Sequence, residues 1–383
     1  MRLLLVNYEY PPIGGGAAGA SQQIGRALVR LGHEVTMLTA GIGDAVGRDD
    51  DQGVLVERLA VRRRHVAQSG IVEMGSFLAA AWRRAPHLAR ERSIEGTIAF
   101  FSVPCGPVAL RLRRRAGIPY VVSLRGGDVP GLDRRAGSAH RIVAPVRRRV
   151  LRSALAVVAN SEGLAAGSRR ADPVPVLVIP NGVDTERFAP RGTPPDSRAP
   201  FRFLFCGRFQ PQKSLPLLLR AFAAARAASG RDVVLHLVGS GPDEAEARAL
   251  ARSLGVEDRV TWSPWADRES IAAVYRDADC FVNASTYEGM PNTVLEAMSS
   301  GLPVVASRIA GHAGLVEDGV TGLTFDLAQI DEFTACLRRI AEEPGLAAAA
   351  GAAGRARAVR DFAWESTARA YADLFAGDAE VGR

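Results

Sequence analysis

Short β-branched or leucine-rich runs alternate with Ala/Arg/Leu-rich stretches from one end of the chain to the other. A strand buried on both faces reads as a compact apolar run, and each intervening helix buries one stripe. The alternation therefore predicts an α/β protein of parallel sheets covered by helices on both faces. In the first half the expected strands are residues 3–7, 35–39, 97–101, 120–124, 155–159 and 176–180. A second series follows at 201–206, 233–238, 260–262, 280–283, 304–307 and 322–325. Between the two series, residues 188–200 are rich in Pro, Gly, Arg and Ser and have no periodicity, the pattern of a linker.

Length sharpens this picture. A chain of 383 residues exceeds one ordinary core and implies about two domains. The expected organisation is an N-terminal domain over 1–187, the linker 188–200, a C-terminal domain over 201–363, and a terminal segment 364–383 carrying a helix at 365–375. Two such domains imply a cleft. No apolar run approaches the ~18 residues of a membrane span, and the run from Met1 to Val6 is too short for a signal-peptide core and reads as a first strand. Cys105, Cys206, Cys280 and Cys336 are far apart and form no C-x-x-C pair, so a disulfide framework or zinc site is not expected. A cytoplasmic location follows as the expectation.

Charge changes the picture in one respect. Of the net +7, residues 1–190 hold 27 arginines against 16 acidic residues, and the remainder holds 21 basic against 25 acidic. The arginines cluster at 62–64, 83–84, 111 with 113–115, 134–135 and 147–149. Such clusters occur as solvated helix faces and also attract anionic lipid headgroups or phosphorylated acceptors. No nucleic-acid motif or aromatic interleaving accompanies them, so nucleic acid is not an expected partner. Lys213 is the one lysine among 48 basic residues, which directs interest to its surroundings.

Three segments carry candidate chemistry. The first strand opens into Gly14, Gly15 and Gly16 ahead of a helix expected at 21–31, an arrangement that presents backbone N–H groups and a helix dipole to an anion, although glycine turns also occur without a ligand. The dinucleotide reading is disfavoured: Pro11 and Pro12 precede the glycines, and the second strand ends in Thr39-Ala40 where a ribose-binding acid would stand. The second domain opens with Gly207-Arg208 at a strand end and Lys213 at the next helix start, two cations suited to the charge on a departing diphosphate. In the third segment Glu288 precedes Gly289, Met290, Pro291 and Asn292, whose backbone offers donors, and Glu296 follows in a helix. The loop acid can accept from sugar hydroxyls and the helical acid from a ribose.

Glu288 and Glu296 resemble the E-x7-E element of the family-4 retaining glycosyltransferases of GT-B fold. Ile179-Pro180-Asn181-Gly182-Val183-Asp184 with Phe188 is similar to that family's PNGVD element, Gly207-Arg208 with Lys213 to its GR....KG segment, and Val238-Gly239-Ser240-Gly241-Pro242 to GxGP. Residues 301–306 and 316–322 continue the likeness. The resemblance implies two Rossmann-like, doubly wound parallel-sheet domains facing a cleft, with the terminal helix crossing back to the first domain. It implies that Gly15, Gly16 and Gly239 lie at the donor and that Arg208 and Lys213 hold the pyrophosphate. Glu288 with the Gly289, Met290, Pro291 and Asn292 backbone would bind the sugar, Glu296 the ribose, and Pro264 and Trp265 the base.

Two positions depart from the family pattern. Arg125, in Leu124-Arg125-Gly126-Gly127-Asp128, stands where the family's HGxD histidine meets the donor sugar, and an arginine there can stabilise charge but cannot act as a general base. The GGxPE element reads Ala310-Gly311-His312-Ala313-Gly314 and lacks its acid. The expected activity is retaining transfer from a nucleoside-diphosphate sugar to a saccharide or lipid-linked acceptor in cell-envelope polysaccharide or glycoconjugate synthesis. Glu288, Arg208, Lys213, Arg125 and Asp128 would be the catalytic set, with no metal and no cofactor beyond the donor. The acceptor is expected at the Glu9-Tyr10 loop and the turn from Arg125 to Asp128, with peripheral attachment to the inner face of an anionic membrane. A hydrolysing nucleotide-sugar epimerase and a catalytically silent sugar-nucleotide-binding subunit are the alternatives.

Overall fold

The computed structural model describes residues 1–377 apart from 44, 64, 66–68, 131–136, 193–198, 265–269 and the side chains of 137–139. The chain divides into two compact units, residues 1–182 with 364–383, and residues 183–363.

The first unit runs β1 (Arg2–Val6), α1 (Gly16–Arg30), β2 (Glu34–Ala40), β3 (Gly47–Asp51), β4 (Val54–Leu59), α2 (Ile71–Glu91), β5 (Gly96–Phe100), α3 (Gly106–Ala116), β6 (Tyr120–Ser123), α4 (Gly137–Ser153), β7 (Ala156–Ala159), α5 (Glu162–Ala171) and β8 (Leu177–Val178). The second continues with β9 (Phe201–Cys206), α6 (Leu215–Ala228), β10 (Val233–Val238), α7 (Glu244–Ser253), β11 (Val260–Ser263), α8 (Ile271–Arg276), β12 (Cys280–Asn283), α9 (Asn292–Ser299), β13 (Val304–Ser307), α10 (Ala310–Ala313), β14 (Gly322–Phe325), α11 (Ile330–Glu342) and α12 (Pro344–Asp361). The last helix, α13 (Trp364–Ala376), belongs to the first unit.

The first sheet has the order β3-β4-β2-β1-β5-β6-β7-β8 and the second β11-β10-β9-β12-β13-β14. Every pairing is parallel except β3 with β4. Side chains alternate across each sheet, so Leu4 and Val6 meet Phe77 of α2 and Leu112 of α3, while Leu3 and Leu5 meet Ile24 of α1 and Tyr371 of α13. In the second sheet Phe203 and Phe205 face Phe222 of α6 and Leu337 of α11, and Leu204 and Cys206 face Leu295 of α9 and Ala358 of α12. Each of the large apolar side chains among these contributes about 1.5–3 kcal/mol relative to exposure. The four cysteines are buried and free.

Three local features differ from the pattern-based expectation. The hairpin β3–β4 is an additional antiparallel edge, turned by Gln52 at φ 56° and Gly53 at φ 87°, successive positive-φ residues that match a tight hairpin. Helix α1 begins at Gly16, not 21, because Gly15 already stands at its N-cap. Phe188, at the edge of the expected linker, is buried in the second unit's core, and Arg191 is ion-paired to Asp279 at 2.6 Å.

Topology locates the ligand-binding ends. In the first sheet the winding direction reverses between β1 and β5, and in the second between β9 and β12. Ligands of doubly wound sheets bind beyond the carboxyl ends of the strands at these reversals.

Candidate functional site

At the reversal of the second sheet, the loops after β9 and β12 are stitched together. The Thr286 N–H donates to Gln212 O at 2.8 Å, and Gln212 Nε2 donates to Tyr287 O at 2.6 Å. This brings Lys213, at the end of the short turn Pro211–Lys213, onto Glu288. Lys213 Nζ is ion-paired to Glu288 Oε1, and the Ser285 hydroxyl lies 2.8 Å from the same oxygen. Side-chain exposures of 13% and 10% mark a pair partly shielded from water, where Coulombic attraction exceeds that of a surface pair.

Arg208 is exposed and has no hydrogen-bond or ion-pair partner among the described residues, so its donor fork is free. Its loop is fixed from behind. Gly239 sits at φ 143°, and a Cβ there would lie 1.9 Å from Gly207 O; one at Gly241 would lie 2.2 Å from Phe209 O. Glycine is therefore required at both positions for the β10 loop to pack against the Arg208 loop.

Beyond Glu288 the backbone is open. Gly289 has nothing within 4 Å of where a Cβ would stand, while Met290 packs on the apolar cluster beneath it. Buried Pro291 caps α9, which Asn292 begins. About one turn into this helix, Glu296 Oε2 accepts the Tyr275 hydroxyl at 2.8 Å. Burial pushes the Glu296 carboxyl up to about 7, against the opposing effects of the Tyr275 hydrogen bond and the Arg187 charge.

The loop lacking the family acid also closes on this cluster. A Cβ at Gly311 would come within 2.5 Å of Glu288 O, so this glycine lets the two loops touch. His312 is buried, its Nδ1 2.8 Å from Ser307 O, and Nε2 has no partner among the described residues; burial lowers its pKa and favours the neutral ring. Pro264 is exposed just after β11, and Trp265 lies outside the described residues.

At the reversal of the first sheet, Gly14 at φ 94° turns over Glu9, whose Oε2 would be 2.8 Å from a Cβ there. The Glu9 carboxylate accepts the Gly15 N–H and lies 3.7 Å from the Arg63 guanidinium, while burial raises its pKa. Gly15 and Gly16 are exposed. Tyr10 is fully buried, its hydroxyl donating to Asp51 Oδ2 at 2.5 Å.

Asp128 is also buried. Its Oδ2 accepts the Ser102 N–H at 2.7 Å and its Oδ1 the Arg125 N–H at 3.0 Å, so it fastens the β6 loop to the β5 loop. Arg125 donates from one terminal nitrogen to Asn181 Oδ1 at 2.7 Å and stacks 4.9 Å above the Phe100 ring, leaving Nε and Nη2 buried without acceptors among the described residues. Burial disfavours its charged form.

The structure thus gathers Lys213 and Glu288 at one point, with Arg208 and Glu296 on neighbouring elements of the same unit. Arg125, Asp128, Gly15 and Gly16 belong to the other unit. Sequence reasoning did not single out Ser285, Gln212, Tyr275 or His312. Only His312 carried a local signal, its place in the altered loop.

Comparison with known proteins decides the family. The model for glycosyl transferases group 1 matches residues 194–357, and the glycosyl transferase 4-like domain matches residues 15–182. The chain belongs to the group 1 glycosyltransferases of GT-B fold. This glycosyltransferase is 35% identical to a D-inositol 3-phosphate glycosyltransferase of Actinosynnema mirum, over 68% of this chain and 67% of that one. It is 30% identical to a GDP-mannose-dependent alpha-(1-6)-phosphatidylinositol monomannoside mannosyltransferase of Mycolicibacterium smegmatis, over 99% of both. Among solved structures, a sucrose-phosphate synthase from Thermosynechococcus elongatus aligns with a TM-score of 0.79 at 23% identity, covering 98% of this chain and 100% of that one. Anabaena HepE in complex with UDP and glucose aligns at 0.73 and 20%, with the same coverage. These structural likenesses concern the fold.

Proposed function

We propose that this glycosyltransferase moves a sugar, with retention of anomeric configuration, from a nucleoside-diphosphate sugar to a saccharide or lipid-linked acceptor of the cell envelope. The observation that carries the reading is the cluster at the second sheet's reversal: a free guanidinium at Arg208, an ammonium at Lys213 and a carboxylate at Glu288, beside the open backbone at Gly289. Support for the donor class comes from the mannosyltransferase relative, which is GDP-mannose-dependent, and from solved relatives of this fold bound to UDP or UDP-glucose. The same relative acts on a phosphatidylinositol monomannoside, which favours a lipid-borne acceptor and work at the inner membrane face.

Each residue then has a definite task. Arg208 and Lys213 stabilise charge growing on the diphosphate as the glycosidic C–O bond breaks. Glu288 accepts hydrogen bonds from the sugar, and Glu296, once ionised, accepts from the ribose hydroxyls. Attack on the donor's front face, with a phosphate oxygen taking the acceptor proton, needs no nucleophile from the protein. The chain's contribution is position and electrostatics. The test is a panel of nucleotide sugars screened for protection against thermal unfolding, where saturation near 100 times Kd adds about 2.7 kcal/mol. Products formed with membrane extract as acceptor are then examined for anomeric configuration. An α-linked product from an α-linked donor is expected; an inverted product overturns retention, and diphosphate release without any acceptor overturns transfer.

A further inference from the structure

Many arginines of the first unit are held by acceptors. Arg48 and Arg84 bind Glu57 and Glu91, Arg147 and Arg148 bind Asp172, and Arg113 donates to Ser153 O. Among those without an acceptor, four share one recess. A cavity of about 300 Å³ between α2, α3 and α4 is lined by Trp82, Arg111, Arg114, Arg115, Val146 and Arg149. Neither α3 nor α4 contains an acidic residue, and none of these four arginines has an acceptor among the described residues. Arg111 lies 4.6 Å over the Trp82 ring, with its Nε buried and unpartnered. Four guanidinium groups around one recess repel one another, and an anion in it removes that cost.

The rim narrows the class of anion. Ile142, 79% exposed, lies one helical turn before Val146, 47% exposed, and Trp82 is 41% exposed beside them. Large apolar side chains standing in water next to a basic recess fit a bilayer surface, where the chains enter the acyl boundary and the guanidinium groups meet phosphates. Free phosphate makes no use of Ile142. We infer that this recess seats the phosphate of an anionic membrane lipid and docks the enzyme on the bilayer. The inference rests on the lipid-borne acceptor proposed above and assigns the surface that reaches it.

The full chain is sedimented with vesicles of phosphatidylcholine alone and of phosphatidylcholine mixed with phosphatidylglycerol, at low and high salt. Binding is expected to require phosphatidylglycerol and to fall with salt. Arg114→Gln with Arg149→Gln removes two exposed charges and is expected to weaken binding about thirty-fold. Ile142→Ser should weaken it severalfold without changing the salt dependence. Unchanged thermal midpoints verify that these variants fold. Binding as tight in the double arginine variant as in the parent overturns the inference, as does failure of the parent to bind phosphatidylglycerol vesicles. Loss with the arginine pair but none with Ile142→Ser overturns the lipid assignment in favour of a general polyanion surface. Nucleotide-sugar protection measured on the same variants should be unaltered. Its absence from the parent would count against the donor reading while leaving membrane docking to be judged by the vesicles.

Discussion

Lys213 Nζ and Glu288 Oε1 form an ion pair across the reversal of the second sheet, although 75 residues separate them in the chain. The two groups were expected to serve different parts of the donor, one the diphosphate and one the sugar. In the ligand-free protein they hold each other in place. Their effects on the proposed reaction are therefore expected to be coupled.

Glu288→Gln is expected to lower transfer by at least about 100-fold, and Lys213→Met to weaken nucleoside-diphosphate binding by about 10- to 100-fold. The double variant should lose less than the two losses combined, with a coupling of about 0.5–3 kcal/mol. Steady-state kinetics with calorimetric titration of nucleoside diphosphate measures all three; strict additivity would mean that the pair does not act as one unit. Lys213→Arg should restore little, since a planar fork does not replace a compact ammonium against one carboxylate oxygen.

Glu296 gives the ligand-free protein a distinctive pH dependence. Its carboxyl is raised from 4.5 to about 7, so between these values the folded chain holds a proton that the unfolded chain has released. The resulting stability is fully present below pH 4.5, declines as pH rises, and is gone above about 7, a difference of order 1–3 kcal/mol. Glu296→Gln keeps an acceptor for the Tyr275 hydroxyl and needs no proton. Compared with the parent across pH 5–8, it should unfold at a higher temperature at the alkaline end while binding the donor more weakly. A parent and variant with parallel stability profiles would contradict this origin for the shift.

Two glycines separate a packing need from a ligand need. Gly239→Ala drives a Cβ against Gly207 O at a φ that side chains rarely adopt, and should cost about 3 kcal/mol or more. Gly289→Ala meets open space and should change stability by no more than about 0.5 kcal/mol. If the backbone there approaches the donor, transfer falls sharply in Gly289→Ala while its denaturant midpoint stays put. Full activity would place the donor elsewhere.

The strands of the second unit other than the edge strand β11 were legible because each is a compact, largely buried apolar run, where burial selects the conformation. The hairpin β3–β4 was not, since Asp49-Asp50-Asp51 disfavours a strand by propensity. It is held by distant partners: Asp51 takes Tyr10, Gln22 and Arg26, and Glu57 takes Arg48 and Arg84. The same distinction applies at the site. Arg208, Glu288 and Glu296 stand in dense local motifs. The hydrogen bond from Tyr275 to Glu296, and that from Gln212 to the Glu288 loop, depend on which strands neighbour one another, information that no short segment carries.

The second unit starts and stops at almost the same place. Val183 bridges Ala363, and its N–H donates to Phe362 O at 2.7 Å, so 181 residues depart from and return to one short junction. A module inserted through such adjacent ends lends itself to exchange as a cassette: on the donor site proposed above, swapping residues 183–363 between relatives is expected to change which activated sugar is used while leaving the surrounding chain, and whatever it recognises, in its original hands.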